Sequence, residues 1–183
     1  MIFMLNLRRF AMNSCVNIQQ DSVSDQPKIL FVDDEKPVLK AIERLCRQRH
    51  WTAYFATSAA LGKDIMQNEG EFDVVVSDMR MPEVNGAEFL TWVKGFSPRT
   101  VRIILTGFAD AKAMENAING AKIHNYLAKP WDDQLFSEVL EGATAFQANR
   151  REKERLEKLT QKQNEELVAL NESLDSKVKE RTI

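Results

Sequence analysis

The chain has 183 residues, 44% of them hydrophobic, enough for one ordinary domain with an extension but short for two full domains. A formal charge of -2 removes any electrostatic reason to expect direct nucleic-acid or polyanion binding. No apolar run reaches the roughly 20 residues needed to span a bilayer, and Cys15 and Cys46 lie far apart without metal-ligand spacing, so both read as reduced thiols in a cytoplasmic protein.

The opening Met1 to Arg9 has a short apolar patch followed by its basic residues, the reverse of a signal peptide. Asn13 to Pro27 is mostly Asn, Gln, Ser and Asp, so residues 1–27 read as a disordered leader in which Met12 is an alternative start. Lys28 to Asp34 is the stretch around which the rest is organised: a short β-prone run that ends in two adjacent carboxylates, as a buried parallel strand does when its C-terminal end opens into a site. Two neighbouring acids repel, so a cation is expected beside them, a divalent metal first.

Pro37 suits the first turn of a helix whose Val38, Leu39, Ile42, Leu45 and Cys46 fall on one face. Trp51 to Ala56 reads as a second strand, and Thr57 or Ser58 caps a helix that runs to about Asn68 and closes at Gly70. A third strand, Phe72 to Asp78, again ends in a carboxylate. The loop Met81-Pro82-Glu83-Val84-Asn85-Gly86 leads into a helix, Ala87 to Lys94, with Phe89, Leu90 and Val93 on its buried side. Val101 to Thr106 is the fourth strand, Asp110 caps a helix from Ala111 to about Asn119 closed by Gly120, and Ile123 to Ala128 is the fifth strand, running into Lys129-Pro130. Asp132 and Asp133 open the last helix, where carboxylates oppose the positive end of its dipole. Strict alternation of strand and helix predicts a doubly wound parallel α/β sheet, with sites outside the carboxyl ends of its strands.

Beyond Phe146 there is neither glycine nor proline, so the last helix is expected to leave the globule. Leu156, Leu159, Leu167, Leu170, Leu174 and Val178 recur three or four residues apart with Gln163 in the one polar gap. The repeat of 156 onto 167 onto 178 is about 11 residues, the period of a nearly straight or slightly right-handed seam. So narrow a stripe predicts a parallel homodimer through residues 150–180, with Gln163 favouring one register.

Asp33-Asp34, Asp78, Thr106 and Lys129-Pro130, each ending its own strand, with Met81-Pro82 and Gly86 after the middle Asp, resemble the response-regulator receiver domain of two-component signalling. The resemblance covers about Lys28 to Phe146 and implies a flavodoxin-like five-stranded sheet of order 2-1-3-4-5. The expected organisation is a leader (1–27), a receiver (28–146) and a coiled-coil signalling helix (147–183). By the same resemblance Asp78 is the phosphoacceptor, Asp34 the direct Mg²⁺ ligand, Asp33 the acid that holds metal-bound water, and the Arg80 carbonyl a third protein ligand beside Asp78. Lys129 and Thr106 would contact phosphoryl oxygens and Tyr126 would be a switch aromatic. No other cofactor is implied. Arg80 and Phe108 would flank the site near the path of an attacking water and set the lifetime of the phosphorylated state. His50 and His124 lack the acidic helical setting of a phosphodonor, so the chain receives phosphate from a histidine kinase or phosphotransfer protein.

That reading makes the chain a signalling module and not an enzyme, self-dephosphorylation apart. A haloacid-dehalogenase-type phosphatase also uses an aspartyl phosphate, but it wants its nucleophile at the first strand with a second Asp two residues on, where this chain has Asp33-Asp34-Glu35. A phosphorylation-independent scaffold is the third reading, weakened by the full set of site residues. The run Leu174 to Thr182 resembles linkers that precede output modules in larger regulators, cyclic-di-nucleotide phosphodiesterases and kinases among them, and an end in mid-helix is compatible with a fragment of one.

Overall fold

A computed structural model describes residues 26–49, 51–107 and 121–181. The leader up to residue 25, His50, Phe108 and the expected helix from Asp110 to Gly120 lie outside the described residues. Five strands, β1 (Lys28–Val32), β2 (Thr52–Ala56), β3 (Val74–Asp78), β4 (Val101–Thr106) and β5 (Asn125–Ala128), form one sheet in the order β2-β1-β3-β4-β5. Every pairing is parallel. The described helices are α1 (Lys36–Arg49), α2 (Ala59–Glu69), α3 (Gly86–Phe96) and the long α4 (Asp133–Arg181).

Alternating side chains explain why the strands read as continuous apolar runs. Ile29 and Phe31 of β1, Val74 and Val76 of β3 and Ile103 and Leu105 of β4 point into one core with Leu39 and Ile42 of α1 and Phe136 and Leu140 of α4. Leu30, Val32, Val75 and Ile104 point into the other, against Met66 of α2 and Phe89, Leu90 and Val93 of α3. Both faces are covered, as a parallel sheet requires. Full burial of each of these large side chains contributes about 1.5–3 kcal/mol. At the edge, β5 buries only Leu127.

The caps follow the chemistry of their residues. Ser58, not Thr57, accepts the Leu61 N–H, and Gly70 closes α2 with φ of 82°, a conformation strained for residues that carry a Cβ. Asn85 accepts the Glu88 N–H at the start of α3. Asp132 accepts N–H groups from Gln134 and Leu135, so it is the cap of α4 while Asp133 is the first helical residue. The third and fifth strands start two residues later than the alternation suggests: Phe72 is buried edge-on against Tyr54 (5.1 Å between ring centroids), and Ile123 lies in the approach to β5.

The last helix keeps contact with the domain past Phe146. Gln147 donates to the carbonyls of Asp73 and Arg99, and Arg151 pairs with Asp73 at 2.7 Å, so a boundary drawn at Phe146 cuts through these bonds. Further out, Leu156, Leu159, Leu167, Leu170 and Leu174 are each 50–58% exposed.

Candidate functional site at the carboxyl ends of the strands

β1, β3, β4 and β5 end on one edge of the sheet, and each delivers a polar residue there. Parallel pairing sets the levels: Val32 is opposite Ser77, Asp78 opposite Leu105, and Thr106 opposite Ala128. Asp33 therefore sits beside Asp78, and Lys129 follows directly on Ala128. The Lys129 Nζ lies 2.6 Å from Asp33 Oδ2 and 2.6 Å from Asp78 Oδ1, bridging strands 96 and 51 residues apart in sequence from β5 (129 less 33, and 129 less 78). Its backbone N–H donates to the Thr106 carbonyl at 2.7 Å, which continues the β4–β5 ladder and fixes where the side chain starts. The Lys129–Pro130 peptide is cis.

The two carboxylates are held by more than the lysine. Asp33 is 1% exposed and its Oδ1 accepts the Glu35 N–H at 2.8 Å. Asp78 Oδ2 accepts the Arg80 N–H at 2.9 Å. Burial pushes the Asp33 carboxyl above the ordinary aspartate range, against the pull of the hydrogen bonds from Lys129 and Glu35 and of the lysine's charge. Burial acts on Lys129 in the opposite sense, but its hydrogen bonds to Asp33 and Asp78 outweigh that and leave it above the ordinary lysine range. The bridge is thus a charged ammonium at neutral pH. Glu35, at 3.9 Å and largely exposed, adds a weak contact to it.

Behind Asp78 the loop into α3 turns back on itself. Met79 N–H donates to Leu105, Gly86 N–H donates to Met79, and the Ser77 hydroxyl donates to the Asp78 carbonyl. A Cβ at Gly86 would lie 2.0 Å from that carbonyl oxygen, so the close approach explains the glycine. Glu83, at the tip, has φ of 67°, a rare conformation for a residue with a side chain.

The structure brings together some of the residues singled out in the sequence and leaves others apart. Asp33, Asp78 and Lys129 are in direct contact, and Thr106 ends the strand beside Asp78, 5% exposed, its hydroxyl donating to the Gly107 carbonyl at 3.1 Å. Asp34 stands at the exposed rim and its carboxylate makes no hydrogen bond or ion pair among the described residues. Tyr126 is outside the cluster, opposite Ile104 and 52% exposed. His124 lies at the other end of β5, where its Nδ1 accepts the Arg102 N–H at 3.1 Å. Burial, helped by the charges of Arg102 and Arg150, pushes its pKa below the ordinary histidine range.

A divalent cation suits the donor set by its chemistry. Asp33, Asp34, Asp78 and the Arg80 carbonyl are all hard oxygen donors, and the Asp34 carboxylate is not committed to another described group. Among the described residues no three His, Cys, Asp or Glu side chains are gathered around one point. The cation that Asp33 and Asp78 share in this structure is Lys129.

Sequence reading missed a second polar centre at the opposite edge. Arg102 is 3% exposed and donates to the carbonyls of Thr100 (2.7 Å), Ala121 (2.9 Å), Pro98 and Lys122. Its signal was a lone arginine within an apolar strand that has both faces buried, where a charged side chain has to find partners.

A doubly wound parallel sheet carrying this edge of acids, threonine and lysine defines a receiver-type signalling domain. The family model for the response regulator receiver domain matches residues 29–141, more than half of the chain, and the chain belongs to that family. It is 34% identical over 126 residues to the hydrogenase transcriptional regulatory protein HoxA of Bradyrhizobium diazoefficiens, a match covering 68% of this chain and 25% of HoxA. The signal receiver domain of an HD domain-containing protein from Pseudomonas fluorescens Pf-5 superposes with a TM-score of 0.64 at 34% identity, over 68% of this chain and 98% of that one. A structure described as adenylate cyclase from Rhodopirellula baltica superposes with 0.67 at 25% identity, over 73% and 98%. The chain spans about a quarter of the length of HoxA. No described helix is long and apolar enough to cross a membrane.

Proposed function

We propose that this chain is a phosphorylation-activated receiver that takes a phosphoryl group on Asp78 from a histidine kinase or phosphotransfer protein in the cytoplasm. The observation that carries the reading is the Lys129 ammonium set 2.6 Å from both Asp33 and Asp78 at the end of a buried parallel sheet. An Asp78 carboxylate oxygen forms the new P–O bond as the P–N bond to the donor histidine breaks, and the electron pair returns to the imidazole. Three equatorial phosphoryl oxygens then need donors, and Lys129 and the Thr106 hydroxyl are the neighbouring candidates. Asp34, Asp78 and the Arg80 carbonyl would hold Mg²⁺, with Asp33 acting through bound water. Such an ion supplies positive charge that offsets the carboxylates and the incoming phosphoryl group.

Transmission would run through β4 and β5. Once Thr106 turns toward the phosphoryl group, the exposed Tyr126 ring swings inward, a shift between two packings of one surface. Arg80 stands beside Asp78 and would tune the lifetime of the phosphorylated state; Phe108 is assigned the same role from sequence. The helical extension would pair in parallel with a second copy along Leu156 to Leu174 and pass the change to an output module. The signalling role involves no catalysis beyond self-dephosphorylation. With Mg²⁺ and acetyl phosphate the protein should gain one acid-stable, base-labile phosphoryl group. An Asp78→Asn variant that still incorporates phosphate at the wild-type rate would overturn the assignment.

A further inference from the structure

At the edge opposite Asp78, β3 begins beside a second buried carboxylate. Asp73 is 3% exposed, its Oδ2 accepts the Lys28 N–H at 2.9 Å and its Oδ1 pairs with Arg151 at 2.7 Å. Gln147, also 3% exposed, donates its amide to the Asp73 carbonyl at 3.0 Å and to that of Arg99. Arg150 donates to the same Arg99 carbonyl at 2.9 Å, and Glu154 pairs with the Arg99 guanidinium at 2.9 Å. Four residues over about two turns of α4 therefore grip the start of β3 and the connection into β4.

Their place along the helix gives this grip its consequence. The apolar packing of α4 ends with Phe136, Leu140 and Ala143, and Phe146 is already 55% exposed. Apolar contact is non-directional and tolerates rotation, whereas hydrogen bonds weaken steeply as they bend. A buried amide such as Gln147 is also costly to leave unpaired, so the helix cannot tilt there without losing both carbonyls.

We propose that Gln147, Arg150, Arg151 and Glu154 form a polar latch that fixes the angle at which α4 leaves the domain. The latch stands independently of the phosphoacceptor reading, and it sets the position of the leucine stripe relative to the sheet. At 1.5 Å per residue, a tilt of about 15° at Gln147 moves Gln161, about 21 Å further on, by about 5 Å, and moves Leu174 by about 10 Å.

The test is a spin-label distance between Lys40→Cys on α1 and Gln161→Cys on α4, in the full chain with Cys15→Ser, diluted with unlabelled chain. The unaltered latch should give one narrow distance distribution. Gln147→Ala with Arg151→Ala should broaden it and shift its mean by about 5 Å, while circular dichroism and tryptophan fluorescence report an intact domain. Should that pair fail to fold, Arg151→Ala alone, at a half-exposed side chain, should still broaden the distribution. Unchanged width and mean in the folded variants would overturn the latch. So would equal broadening in Lys153→Ala, whose side chain among the described residues pairs only within the helix, with Glu157.

Discussion

Replacing Gly86 by alanine tests the loop that positions Asp78. The added Cβ would stand 2.0 Å from the Asp78 carbonyl oxygen, 2.9 Å from its carbon and 3.0 Å from Ser77 Oγ. Ordinary contact needs about 3.5 Å, so the start of α3 has to withdraw by about 1.5 Å from a backbone atom that no rotamer change can move. Overpacking of this kind costs about 3 kcal/mol, which exceeds the gain of about 1 kcal/mol that alanine brings to a helix. With a urea m-value of about 2 kcal/mol/M, the net loss of about 2 kcal/mol lowers the unfolding midpoint by about 1 M. The part of that strain passed back to the Asp78 backbone, a shift of about 1 Å, should slow phosphorylation by acetyl phosphate about 100-fold. Gly142→Ala is the control: nothing lies within 4 Å of its added Cβ, on an exposed stretch of α4. It should raise the midpoint by about 0.5 M, the same helix gain without a clash. A Gly86→Ala midpoint at or above wild type would refute the argument from the close approach.

Metal binding should depend on Asp34 more than on Asp33: with Mg²⁺ titrated by Trp131 fluorescence, Asp33→Ala should lose about 10- to 100-fold in affinity and Asp34→Ala more, because only the latter removes a coordination bond. Equal losses would contradict that division of roles. For the extension, sedimentation of the full chain at micromolar concentration should show a dimer that Leu167→Asp with Leu170→Asp converts to a monomer, since charges on a leucine seam have no partner there. A wild-type monomer, or a dimer that survives both substitutions, would reject pairing along the stripe.

The class of fold and the elements of the candidate site were legible in the chain because they are local. A β-prone run ending in Asp33-Asp34, another ending in Asp78, and Thr106 and Lys129 at later strand ends need only period and punctuation to be recognised, and parallel order then carries all of them to one edge. The long last helix was legible for the same reason. What tertiary structure decided is which polar groups meet. Lys129 chooses Asp33 and Asp78 over exposed Asp34 because β5 places its Nζ between two strands it never neighbours in sequence. Arg102 becomes a buried donor to four carbonyls, and Gln147 and Arg151, which look like solvated helix residues, become the anchor of α4 because the sheet brings Asp73 and Arg99 beneath them. Periodicity reports which face of an element is apolar; the partner of a buried polar atom depends on segments dozens of residues away, and only the assembled chain brings them within hydrogen-bonding distance.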